Sequence, residues 1–139
     1  MATDIFEALI ADHEEMRELM DKVAEEYDEK TFDQFASLLT SHMEAEEATL
    51  YSEVEDDQSV RPDVLEGYEE HHLGTFVERE LERNQGGSER WMAKMTVLKE
   101  ITEHHLDEEE QVLFPECRAL IGEDRAKELG KQYEEQSKS

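Results

Sequence analysis

The chain has 139 residues, 39 acidic against 14 basic, for a formal net charge of −25, and its hydrophobic and charged fractions are 37% and 38%. That length suits one domain with a real core, and so acidic a chain lacks the basic footprint that nucleic acids and anionic membranes demand. No run of about 18 apolar residues is present, no secretory leader is legible, and the single cysteine, Cys117, excludes an internal disulfide, which fits a reducing cytoplasm.

The first predicted helix covers about 4–27 behind Thr3 as N-cap. Phe6, Leu9, His13, Met16, Met20 and Val23 recur at spacings of 3, 4, 3, 4 and 3, the seam of a helix bundle with a histidine at its middle. The second covers about 32–53 behind Thr31, and its stripe runs Phe35, Leu38 or Leu39, His42, Glu46, Leu50. The third opens near Pro62, which a first turn tolerates, and closes by 84 ahead of Gly86-Gly87. Its apolar residues Val64, Leu65, Tyr68, Phe76, Val77 and Leu81 flank His71-His72, and periodicity does not choose between the two histidines. The fourth covers about 89–114 behind Ser88, with the stripe Trp91, Met95, Leu98, Thr102, His105, Glu109, Val112, and Pro115 is expected to kink or end it. A last helix, about 123–134, should pack back on the bundle through Ala126, Leu129 and Tyr133. The fold class is all-α: residues 1–139 form a single domain, an up-and-down antiparallel four-helix bundle with a short C-terminal helical extension.

His42 and Glu46, and again His105 and Glu109, stand four residues apart and so share a helix face. The spacing alone says little, because 29 of the 139 residues are glutamate. Register says more. His13, His42 and His105 all fall mid-helix on inward stripes, and antiparallel helices of similar length bring their midpoints to one level. Two carboxylates sharing an apolar core repel each other and resist ionisation unless a cation joins them. A dimetal site inside the bundle removes that conflict. His104 lies about 100° from His105 and reads as an outer-face residue or one that supports a ligand. Tyr51 and Cys117 read as packing residues. The other common dimetal bundle signature, E-x-x-H on two helices, occurs once, at Glu69 and His72.

Asp12-His13, His42-Met43-Glu44-Ala45-Glu46-Glu47, Glu70-His71-His72 and the run His104-His105-Leu106-Asp107-Glu108-Glu109 through Pro115, in that order, resemble the bacterial hemerythrin-like (HHE cation-binding) domains over essentially the whole chain. The resemblance implies two iron ions bridged by an oxo or hydroxo group and two carboxylates. It implies His13, His42, Glu46, His71, His105 and Glu109 as ligands, with Glu46 and Glu109 bridging, and it selects His71 over His72. One departure stands out: the oxygen carriers of that family place a further histidine four residues along the third helix, where this chain has Thr75. One iron then keeps an open position or recruits a side chain such as Tyr51. The expectation is a protein that binds or senses oxygen, nitric oxide or peroxide, with an enzyme that decomposes peroxide or reduces oxygen, or an iron store, as alternatives. Its expected partner is a small diatomic ligand or peroxide, with no nucleic acid or membrane, and its expected state is a monomer or small homo-oligomer.

Overall fold

The computed structural model describes residues 3–137, and among them every regular element is a helix. α1 spans Ile5–Glu25. α2 spans Glu29–Glu46 and runs on through a π-helical turn, Glu47–Tyr51, into Ser52–Val54. α3 spans Arg61–Glu82, with Pro62 in its first turn. α4 spans Glu89–Glu108 behind the Ser88 cap and runs on through a second π-helical turn, Glu109–Leu113. It passes into α5, Phe114–Ser137, which Gly122 breaks with φ 77° and ψ 171°, a backbone conformation that L side chains rarely adopt. Long-range pairs run antiparallel from helix to helix: Arg17 to Asp107 between α1 and α4, and Lys94 to Glu80 with His105 to Glu70 between α4 and α3. The result is an all-α bundle of four helices with a C-terminal arm.

Three local expectations shift. Asp4, not Thr3, caps α1, and with Glu7 it forms a reciprocal capping box. Asp28 rather than Thr31 caps α2 and accepts from the Thr31 N–H at 2.9 Å. The fourth helix does not end at Pro115. The Phe114 N–H reaches back to the Glu109 carbonyl, five residues away, and this wider turn leaves room for the proline ring that an α-turn would exclude.

The core is divided in two by a polar layer. On one side Ile5, Phe6, Leu9, Leu50, Val64 and Phe114 pack with Leu129 of the C-terminal arm. On the other, Met16, Met20, Phe35, Trp91, Met95 and Leu98 pack together. Between them lie His13, His42, Glu46, His71, His105 and Glu109, all buried. The inward stripe of α3 consists of Val64, Gly67, His71, Gly74, Glu78 and Leu81, whereas Leu65 and Phe76 face outward at 44% and 59% exposure.

Glu78 is a buried carboxyl with one oxygen lacking a hydrogen-bond partner. Burial and the neighbouring Glu82 push it up to about 8. A carboxyl that binds its proton more tightly folded than unfolded contributes stability below the unfolded value of about 4.5 and loses it as pH rises through the folded value. Thermal stability should therefore fall across roughly pH 4.5–8 by up to a few kcal/mol, the full shift being discounted for solvent screening. Glu78→Gln should flatten that slope, which melting curves of the two proteins across the window would reveal; identical slopes would contradict it.

Candidate metal centre

Each of the four helices delivers its share of the centre by simple periodicity. α1 points His13 inward, α2 His42 and Glu46, α3 His71, and the α4 run His105 and Glu109. All six residues predicted for the site meet in the polar layer. Their donor atoms form two groups in which every atom lies within 4.8 Å of the others: His13, His42, Glu46 and Glu109, and Glu46, His71, His105 and Glu109. Glu46 and Glu109 belong to both. Glu109 faces His13 Nε2 through Oε1 at 3.3 Å and His105 Nε2 through Oε2 at 3.5 Å. Glu46 Oε1 lies 3.1 Å from His71 Nε2 and 3.8 Å from His42 Nε2. Donors each about 2.1 Å from one ion lie about 3 Å apart when they meet at a right angle, so these spacings suit atoms aimed at shared cations. His72 and His104 are exposed and take no part.

The outer nitrogens follow one rule. In each of the four buried histidines Nδ1 faces a carboxylate from the preceding helix, the fourth being followed by the first. Glu47 of the α2 run holds His71 at 2.7 Å, Glu70 of α3 holds His105 at 2.6 Å, and Glu110 of the α4 run holds His13 at 2.7 Å. Asp12 of α1 stands 3.4 Å from His42, with the Tyr133 hydroxyl closer, at 2.8 Å. An Nδ1–H committed to a carboxylate leaves the Nε2 lone pair facing inward, the tautomer a metal requires. Each orienting carboxylate is also the sequence neighbour of an inward-facing member of its own helix: Asp12 of His13, Glu47 of Glu46, Glu70 of His71, Glu110 of Glu109. The doublets carried that signal, but a chain this rich in acid hid it.

The electrostatics favour a cation. His13 Nε2, His42 Nε2, both oxygens of Glu46 and Glu109 Oε1 are buried without a hydrogen-bond partner, and such atoms in a native core call for an ion or water. Burial and the Glu109 charge push Glu46 well up, while His105 and His13 hold Glu109 well down against its burial. Burial is likewise outweighed at His13, which Glu109 and Glu110 lift to about 9, whereas burial wins at His42 and lowers it to about 4. Donors so mismatched in protonation are what a bound cation would equalise.

Tyr51 does more than pack. Its hydroxyl donates to Glu109 Oε2 at 2.6 Å and its ring stacks on His71 with an interplanar angle of 7°. Gly67 makes this possible, since a Cβ there would overlap the hydroxyl. Cys117 is fully buried and its thiol is pushed up to about 12 by burial, as befits an inert packing residue. Two small cavities of about 20 Å³ each touch the layer. One lies beside Tyr51, Gly67, His105 and Glu109, the other beside Met16, Leu39, His71, Gly74 and His105. Among the described residues no helix is long and apolar enough to cross a membrane.

A helical bundle with a buried layer of paired histidines and shared carboxylates is the architecture of a cation-binding domain. Residues 4–117 match the hemerythrin HHE cation binding domain, and the chain belongs to that family. No curated protein and no solved structure gives a significant match.

Proposed function

We propose that the chain is a di-iron protein that binds or senses oxygen, nitric oxide or peroxide. The observation that carries this reading is the pair of four-donor groups sharing Glu46 and Glu109. His13 and His42 would hold one ion, His71 and His105 the other, and the two glutamates would bridge. A mixed imidazole–carboxylate shell suits iron, with manganese and zinc as the competitors that supply and geometry must exclude. Bound iron would supply a redox-active Lewis acid for a small ligand.

The protein's own residues set what reaches that ligand position. A cavity of about 20 Å³ has room for one water-sized molecule, which favours diatomics and peroxide over organic substrates. Gly74 forms one wall, and a Cβ there would meet nothing within 4 Å. Gly74→Leu should fill this space, leave metal content unchanged and weaken ligand binding at least about tenfold; nitric oxide titration of the loaded protein checks it, and unaltered binding would reject the cavity as the ligand position.

A second reading, peroxide decomposition, is favoured by Tyr51, whose hydroxyl holds a proton against Glu109 on the wall of the other cavity. Oxygen release from peroxide that falls in Tyr51→Phe would favour turnover over sensing.

The test of the main reading is elemental analysis of protein purified without chelators, joined to its absorption spectrum before and after nitric oxide or peroxide. About two irons per chain with bands that move on ligand addition are expected. Two zinc or manganese ions would overturn iron, and a folded chain that takes up no metal would overturn the centre itself.

A further inference from the structure

The C-terminal arm, residues 123–137, lies beyond the residues that match the family, yet it reaches the polar layer. Ala126, Leu129, Gly130 and Tyr133 recur at helical spacing and are buried. Gly130 seats the arm against the start of α1, where a Cβ would overlap the Thr3 carbonyl oxygen. Arg125 clamps both carboxylate oxygens of Glu53, at 2.8 and 2.9 Å. These contacts place the Tyr133 hydroxyl between His42 Nδ1 and Asp12 Oδ2.

We infer that Tyr133 is a positioning residue for the metal centre: it donates its O–H to Asp12, accepts the Nδ1–H of His42, and so holds the His42 Nε2 lone pair toward the ion that His13 shares. The inference rests on the dimetal reading above. Three of the four histidines have a carboxylate on Nδ1 at 2.6–2.7 Å. His42 does not; its own carboxylate stands at 3.4 Å, at the limit of hydrogen bonding, and the tyrosine supplies the short contact. The arm therefore completes one half of the centre and leaves the other untouched, since no contact of Tyr133 reaches His71 or His105. The phenol thus supplies the short contact on His42 Nδ1 from a neutral group, while the Asp12 carboxylate stays farther off at 3.4 Å.

The two halves can be separated by titrating cobalt(II) into the full chain and into Tyr133→Phe, following the visible ligand-field bands under anaerobic conditions. Phenylalanine keeps the ring and its packing, and circular dichroism and melting curves confirm that the variant is folded. The wild-type chain should take two equivalents. In Tyr133→Phe one equivalent should bind about 10–100-fold more weakly, the usual cost of losing a partner behind a metal-bound histidine, with an altered spectrum for that cobalt alone. Two equivalents with wild-type affinities and spectra in the variant would overturn this role while sparing the dimetal reading. Equal weakening of both would also overturn it, because a general loss of packing does not choose between the halves. Fewer than two equivalents in the wild-type chain would sink the dimetal reading and this inference together.

Discussion

Stripping the bound metal should lower the melting temperature by about 10–20 °C. A ligand at about 1,000 times its dissociation constant stabilises the folded state by about 4 kcal/mol, and for a chain of this size each kcal/mol moves the midpoint by a few degrees. The metal-free layer is costly in its own right. Glu46 and Glu109 face each other, both fully buried or nearly so, with three of their four oxygens lacking hydrogen-bond partners. Glu46→Gln separates the two contributions. It removes a carboxyl that burial and Glu109 already push toward its neutral form, so the metal-free variant should melt no lower than the metal-free wild type. The gain on adding metal should shrink to that of a single ion. Scanning calorimetry of both proteins with and without chelator provides the comparison, and a wild-type midpoint indifferent to chelation would contradict the reading.

Removing Glu109 should have the largest effect on metal content. Its two oxygens address the two donor groups separately, one toward His13 and one toward His105, and one of them also accepts from Tyr51. Glu109→Ala should therefore reduce stoichiometry from two ions to one or none and weaken the remaining site at least about 100-fold. His13→Ala touches one group only and should leave a single ion at close to its original affinity. Metal retained after gel filtration distinguishes the pair: equal losses in the two variants would mean that the groups are not independently addressed, and full retention in Glu109→Ala would remove the glutamate from the centre.

Much of this arrangement was legible in the sequence where side chains obey helical periodicity. The α1 stripe from Phe6 to Val23 is buried as its spacing predicts, and His13, His42, Glu46, His105 and Glu109 fall where their registers place them. α3 resisted the same reading for a physical reason. Its inward face is built of Gly67, His71, Gly74 and Glu78 between Val64 and Leu81, so hydropathy marks its flanks instead, and the apolar Leu65 and Phe76 face outward. In α4 the stripe holds as far as Glu109 and then slips by one residue: Val112 is exposed and Leu113 takes its place, because the π-turn adds a residue to that winding. The orienting glutamates were invisible among 29 of their kind. The contact of Tyr133 depends on the path of the chain past Gly122, which no periodicity encodes.

Both π-turns begin directly at or after a shared glutamate, so each follows the histidine–glutamate pair of its helix and precedes, or contains, an aromatic residue, Tyr51 in one case and Phe114 in the other. Each pair and its aromatic are thus wound on separate registers joined by a single surplus residue. Chain length can then change by one residue at these turns without changing the chemistry. Deleting Ala48 would remove the surplus residue and restore ordinary winding, leaving His42, Glu46 and Tyr51 on the faces they now occupy. The hydroxyl that rests on Glu109 would stay there, and the protein could be shortened at one solvent-side position without disturbing any of the six inward-facing residues.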